Sequence, residues 1–199
     1  MTRSALDPLM EMTRRGVTAA LAAAHNTCGP VFIVDATAGN GHDTLFLARE
    51  AGPAGRVFAF DVQESAIMNA RKRLEDANLE KYVTFVHAGH ETVSKILPAE
   101  AKGNLWAATF NLGYLPGSDK SIVTGSATTI KALAALTAIA AQGCVISIHA
   151  YRGHHGGEEE FLHVSAWLRN LSWEIWRVAE YSFINKKKNS ETLFLLEKA

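Results

Sequence analysis

The stretch Asp35-Ala36-Thr37-Ala38-Gly39-Asn40-Gly41-His42-Asp43-Thr44 decides the fold of this chain, and it directly follows the apolar run Val31-Phe32-Ile33-Val34. A short, uninterrupted apolar run is typical of a strand that is buried on both faces of a parallel sheet. Glycines after such a strand let the backbone approach a polar or anionic ligand where the next helix begins. The stretch therefore predicts a ligand site between a first strand and a first crossover helix.

Strand and helix patterns alternate on both sides of this stretch, which predicts a doubly wound α/β sheet. A leading amphipathic helix is expected within residues 1–26. The last two strands are separated by a polar turn that is too short for a helix, so they should form an antiparallel hairpin. We expect one domain over residues 1–199, with a seven-stranded, mostly parallel Rossmann-like sheet and helices on both faces. The further predicted strands are 56–60, 82–86, 104–110, 144–150, 173–183 and 192–197, and the further helices are 43–50, 64–77, 124–141 and 158–171.

Composition excludes several classes of protein. Of the 199 residues, 48% are hydrophobic, and 20 basic residues balance 20 acidic ones, so the overall charge favours no polyanionic partner. No apolar run is long enough to cross a membrane, and the first residues lack a secretory segment, so we expect a cytoplasmic protein. Cys28 and Cys144 stand alone and are expected to be buried, inert thiols. RNA contact would need a local patch, and the candidate basic rim is Arg14, Arg15, Arg152 and the run 186–188.

The details of the glycine loop separate two cofactor classes. A dinucleotide fingerprint, G-x-G-x-x-G/A, would require a glycine or alanine where Thr44 stands. Asp35 instead begins the pattern D-x-x-x-G-x-G, which resembles the loop of S-adenosylmethionine-dependent methyltransferases. Asp61, 20 residues beyond Gly41, could accept hydrogen bonds from both ribose hydroxyls. The alternatives are a tight turn without a ligand and, for His90, local packing instead of cofactor contact. The candidate donor-binding residues are Asp35, Gly39, Asn40, Gly41, Asp43, Thr44, Asp61, Gln63, His90 and Asn111.

Two further clusters follow predicted strands and should lie beside the donor. The first, Asn111-Leu112-Gly113-Tyr114-Leu115-Pro116-Gly117, resembles the N/D-P-P-Y loop of amino-group methyltransferases, except that Leu112-Gly113 replaces Pro-Pro. In that loop the asparagine carbonyl accepts a hydrogen bond from the substrate nitrogen, and the aromatic ring packs on the base; a turn that only closes the strand is the alternative. The second cluster is Tyr151-Arg152-Gly153-His154-His155-Gly156-Gly157. Adjacent histidines rarely bind one metal ion, so no metal is expected.

These motifs, together with Phe60 to Gln63 and a pattern Y-x-G-H-x-G-G-x-x-E that ends at Glu160, occur in this order in the YtqB/MnmM family, which the chain resembles. The resemblance implies methyl transfer from S-adenosylmethionine to the aminomethyl nitrogen of 5-aminomethyl-(2-thio)uridine at the wobble position, in the tRNA anticodon loop. The family commonly has proline where Arg152 stands. Two rival functions are methylation of rRNA or a small amine, and RNA binding without catalysis. The tail, with Trp167, Trp173 and Trp176, could form a homodimer face, or these rings could pack into the core. The candidate catalytic residues are Asn111 and Tyr114, and the candidate substrate-binding residues are Gly113, Tyr114, Tyr151, Arg152 and His154.

Overall fold

Strands and helices alternate through the computed structural model, which describes residues 8–115, 117, 122–186 and 191–199. Where the sequence predicts a strand or a helix within these ranges, the structure has one. The strands are β1 Val31–Asp35, β2 Gly55–Asp61, β3 Val83–His87, β4 Leu105–Leu112, β5 Ala140–Tyr151, β6 Trp176–Ser182 and β7 Glu191–Lys198. The helices are α1 Pro8–Ala24, α2 His42–Ala51, α3 Glu64–Asp76, the short α4 Val93–Ile96, α5 Ser126–Ile139 and α6 Gly157–Arg169.

The strands form one seven-stranded sheet in the order β3-β2-β1-β4-β5-β7-β6. Strands β1 to β5 are parallel to one another, whereas β7 is antiparallel to both β5 and β6. The predicted sheet and C-terminal hairpin are thus confirmed. Chain order reverses between β1 and β4, because β2 and β3 extend the sheet on one side of β1 and β4 extends it on the other. Such a reversal opens a crevice at the carboxyl ends of the strands, where α/β proteins bind ligands.

Helices cover both faces of the sheet. On one face, α1 and α2 pack Val17, Leu21 and Leu47 against Ile33 of β1; on the other, α5 and α6 pack against the face that carries Phe32. All five residues of β1 are therefore buried, which explains why its sequence is continuously apolar up to Asp35. Within the described ranges, no helix is both long and apolar enough to cross a bilayer.

The structure corrects three local predictions. Helix α5 ends at Ile139, and the next two alanines belong to β5, because Ala140 pairs with Leu105 of β4; sheet pairing here overrides the helix propensity of alanine. Strand β6 begins at Trp176 and not at residue 173, because the Trp176 N–H donates to the Ser172 carbonyl in a turn. Cys28 is exposed, whereas Cys144 is buried as expected.

Candidate active site

A cavity of about 750 Å³ opens at the carboxyl ends of β1, β2, β4 and β5. It is lined by residues 36–40 of the glycine loop, by Asp61 after β2 and by Asn111 at the end of β4. Tyr114, in the segment 111–115 that we term the acceptor loop, lines it from the other side, with residues 151–154. The site thus lies in the crevice that the reversal of strand order creates.

Asp35 supports the glycine loop from beneath the cavity. Its side chain is fully buried and is absent from the cavity lining, as are Gly41 and Thr44. One carboxyl oxygen accepts a hydrogen bond from Thr44 Oγ1 at 2.6 Å, and the other accepts one from the Thr37 N–H at 3.2 Å. Burial, reinforced by the nearby Asp43, raises the pKa of Asp35 to about 7. These contacts tie the end of β1 to the first turn of α2.

The two loop glycines act in different places. Gly39 lines the cavity, and its N–H donates to Asp61 Oδ2 at 2.9 Å. Gly41 adopts φ 77°, and a Cβ there would lie 2.6 Å from the Ala70 Cα of α3, so only glycine fits between the loop and that helix. The sequence predicts that both glycines approach the ligand, but the structure brings only Gly39 to the cavity.

Asp61 presents a fixed carboxyl group to the cavity. Its Oδ2 accepts from Gly39 and its Oδ1 accepts from the Gln63 N–H, each at 2.9 Å. A carboxylate oxygen can accept more than one hydrogen bond, so both oxygens keep acceptor capacity for a ligand diol. Gln63 and Asn40, two of the candidate donor-binding residues, also line the cavity.

Asn111 is held in a defined orientation. Its Nδ2 donates to Asp43 Oδ2 at 2.7 Å, and its backbone N–H donates to Thr37 Oγ1, also at 2.7 Å. Because Asp43 takes the amide nitrogen, the side-chain carbonyl oxygen is the group left to accept a hydrogen bond from a ligand. Asp43 therefore orients the Asn111 side chain and also lines the cavity itself.

His90 both lines the cavity and packs locally. Its Nδ1–H donates to the Ala36 carbonyl at 3.1 Å, and its ring meets the Phe110 ring edge-on with 5.6 Å between centroids. Only 7% of the residue is exposed, and this burial lowers its pKa, so the ring is held neutral. The two alternatives that the sequence leaves open for His90 therefore both apply.

The acceptor loop converges with the cluster after β5. The Tyr114 ring, 37% exposed, stands edge-on to His154 with 5.9 Å between centroids. Tyr151, 39% exposed, stacks with its ring on His149. His154 contacts the carbonyl oxygen of the next residue through Nδ1 at 2.9 Å, and its Nε2 lies 3.4 Å from where a Gly113 Cβ would be. Gly113, Tyr114, Tyr151 and His154 are thus brought together as predicted.

Several cations of the basic rim already have partners. Arg152 makes a two-pronged contact with Glu158, at 2.7 and 2.6 Å, and its guanidinium lies over the Phe161 ring. This contact raises the pKa of Arg152 and lowers that of Glu158. Arg15 pairs with Glu11, Lys186 pairs with Glu191, and Arg14 lies over the Phe46 ring. Residues 187 and 188 lie outside the described residues.

The candidate residues chosen from the sequence do not include Thr37, Thr124 or Glu160. Thr37 fixes the backbone of Asn111, and Thr124 lines the cavity. Glu160 is buried behind Thr124 and accepts a hydrogen bond from it. Thr37 stands inside the glycine loop and Glu160 ends a recognised pattern, so both were visible as motif residues. Nothing in the local sequence marks Thr124. Over the described ranges, no group of three or more His, Cys, Asp or Glu residues is arranged to hold a metal ion.

Known proteins resemble this chain in both sequence and structure. The crystal structure of a "putative rRNA-methylase" from Clostridium thermocellum superposes with a TM-score of 0.86 at 34% identity, covering 98% of this chain and 100% of that one. The crystal structure of "a putative methyltransferase" from Streptococcus mutans, in complex with SAH, gives a TM-score of 0.81 at 29% identity, with coverage of 98% of this chain and 100% of that one. A tRNA (mnm(5)s(2)U34)-methyltransferase, chloroplastic, of Arabidopsis thaliana is 34% identical over 174 residues. That alignment covers 83% of this chain and 63% of the relative.

The sheet order, the glycine loop and the acid after β2 give this chain the fold of the class I S-adenosylmethionine-dependent methyltransferases. The family model described as "Putative rRNA methylase" matches residues 57–197. The chain belongs to this family.

Proposed function

We propose that this methyltransferase acts on tRNA and transfers a methyl group to the amino nitrogen of 5-aminomethyl-(2-thio)uridine at the wobble position. The orientation of Asn111 carries this proposal, because the contact of its Nδ2 with Asp43 leaves the carbonyl oxygen to accept an N–H from a substrate amine. The name of the Arabidopsis relative supports tRNA as the acceptor. The product would be the 5-methylaminomethyl nucleoside.

The donor side fits S-adenosylmethionine. Asp61 would accept hydrogen bonds from the two ribose hydroxyls, since its contacts with Gly39 and Gln63 fix its orientation and leave acceptor capacity. Residues 36–40 would approach the methionine part, while Asp35 and Thr44 would support the loop without touching the donor. When bound, the donor supplies an electrophilic methyl group on a sulfonium sulfur.

The acceptor side has to orient an amine and remove one proton. An alkylamine is mostly protonated at neutral pH and must lose a proton before its lone pair can attack. Asn111 would hold a remaining N–H, and Tyr114 would pack against the modified uracil in a splayed single-stranded loop. Tyr151 and His154, which both line the cavity, are the candidate proton acceptors.

The test is incubation of the purified protein with labelled S-adenosylmethionine and tRNA that lacks the final methyl group, followed by mass spectrometry of the nucleosides. Label in 5-methylaminomethyl-uridine is expected. Asn111→Ala should lower kcat/KM for tRNA by about 100-fold, a loss typical of misplaced reacting groups. Asn170→Ala, at the exposed end of α6, is the matched control and should change nothing. Rate profiles against pH for Tyr151→Phe and His154→Gln in the same assay separate the two candidate proton acceptors.

Methylation of rRNA or of a small amine is the second candidate function, and the name of the matched family favours it for rRNA. Parallel reactions with rRNA and free amines distinguish the two. If label entered only those acceptors, the tRNA proposal would fail while the class stood. If the protein bound no donor at all, the class itself would fail, and RNA binding without catalysis would be the function left.

A further inference from the structure

A buried carboxyl group lies behind the acceptor loop. Glu160, in the first turn of α6, is 4% exposed and does not line the cavity. Burying a carboxyl group is costly unless its oxygens accept hydrogen bonds. Both do: Oε1 accepts from Thr129 Oγ1 at 2.7 Å, and Oε2 accepts from Thr124 Oγ1 at 2.6 Å. Two threonine hydroxyls from different segments therefore point toward one side chain.

Thr124 transmits the orientation of Glu160 to the acceptor loop. A hydroxyl has one hydrogen to donate, and Thr124 gives it to Glu160, so its lone pairs face the other way. There Thr124 Oγ1 accepts the Gly113 N–H at 2.9 Å, and the Thr124 N–H donates to the Gly113 carbonyl at 3.0 Å. A β-bridge between Tyr114 and Val123 continues this pairing. Thr124 thus clamps the backbone of the acceptor loop beside Tyr114.

The second threonine, Thr129, lies between the Glu160 carboxyl group and His90, which contacts the glycine loop. Thr129 Oγ1 lies 3.4 Å from His90 Nε2, and His90 in turn holds the Ala36 carbonyl of the glycine loop. The Thr129 hydroxyl hydrogen is directed to Glu160, and the neutral His90 ring carries its hydrogen on Nδ1, so Thr129 Oγ1 and His90 Nε2 are in contact without a hydrogen bond between them. The stronger path from Glu160 therefore leads to the acceptor loop.

We infer that Glu160 is a positioning residue of the methyltransferase: by orienting the Thr124 hydroxyl, it holds Gly113 and Tyr114 where the acceptor must dock. It acts through Thr124 and does not touch the ligands itself. That the acceptor is tRNA rests on the proposed function, whereas the effect of Glu160 on the acceptor loop does not. Loss of the hydrogen bonds that lead from Glu160 through Thr124 to Gly113 should slow methyl transfer to the acceptor and leave binding of the methyl donor almost unchanged.

The experiment compares Glu160→Gln, which keeps the shape of the side chain, with Thr124→Val, which removes the hydroxyl. Each should lower kcat/KM for tRNA by about 10- to 100-fold, as expected for a misplaced acceptor. The Kd for S-adenosylmethionine, measured by calorimetry, should change less than about 3-fold. The double variant should be no worse than the poorer single variant, because both changes break one path. Thr124→Ser keeps the hydroxyl and should recover most of what Thr124→Val loses.

Glu159→Gln is the matched control, because it neutralises an exposed carboxyl group one residue away on the same helix. A purely structural role would predict multiplicative losses in the double variant, or weaker donor binding in parallel with the loss of activity, and either result would overturn the inference. If Glu160→Gln does not fold, the pair Thr124→Val and Thr124→Ser carries the test.

Amide hydrogen exchange keeps this inference separate from the tRNA proposal. Exchange at the Gly113 N–H should be faster in Glu160→Gln and Thr124→Val than in the wild type and Glu159→Gln, whatever the acceptor is. If the wild type fails to methylate tRNA but the exchange difference is present, the proposed substrate is wrong and the positioning role stands. Unchanged exchange at Gly113 would overturn the role.

Discussion

At the scale of single residues, Asp35 makes the stability of the protein depend on pH. Its folded-state pKa of about 7 exceeds the ordinary value of 3.8, so the folded protein retains a proton between these values that the unfolded chain has lost. The protonated Asp35 carboxyl group should therefore stabilise the folded protein. Its contribution to the free energy of unfolding is fully present below about pH 4, and it is lost as pH rises to about 7. Its full size is on the order of 4 kcal/mol.

Asp35→Asn removes this contribution while keeping an acceptor for the Thr37 N–H and a donor toward Thr44. The difference in unfolding free energy between the wild type and Asp35→Asn, measured by urea denaturation, should move in favour of the variant as pH rises through this window. Asp76→Asn, which changes a carboxyl group that is 70% exposed, is the matched control. A difference that is independent of pH would contradict the raised pKa.

At the scale of elements, the glycine loop depends on its contact with α3. Gly41→Ala would force a Cβ against the Ala70 Cα and retain a positive φ, so we expect a loss of about 2 to 4 kcal/mol and at least roughly 10-fold weaker donor binding. Gly103→Ala is the matched control, because Gly103 has the same positive φ as Gly41, 77°, but nothing within 4 Å of its Cβ position. It should cost only about 1 kcal/mol and leave donor binding unchanged. Equal losses in the two variants would rule out the α3 contact as the cause.

At the scale of the whole molecule, the proposed tRNA substrate would have to bind a local basic surface, because the overall charge of the chain is balanced. Two rim cations, Arg15 and Lys186, form ion pairs with carboxylates of the same chain. Because exposed ion pairs contribute little free energy, these cations can leave their carboxylates for a phosphate at little cost. Reversing the charge of Arg14 and Arg15 should weaken tRNA binding and reduce its salt dependence, by about 0.7 in the log–log slope for each phosphate that the variant no longer neutralises. Arg177→Glu, on β6 near the far edge of the sheet, should do neither. Identical salt slopes for all variants would refute the rim.

The alternation of elements, the mostly parallel sheet with its final hairpin, and the donor loop could all be predicted from the sequence, because apolar periodicity and glycine placement are local properties. The residues at which the helices and strands begin and end could not be predicted. Ala140 shows why, because its pairing with β4 overrides the helix propensity of alanine. Only the tertiary structure decided which loop residues face the ligand. Asp35 and Gly41 stand in the same motif as Gly39, yet packing turns the first two inward. It also decided the path from Glu160 through Thr124 to Gly113, since those residues lie far apart along the chain and meet only where α6 packs behind the acceptor loop.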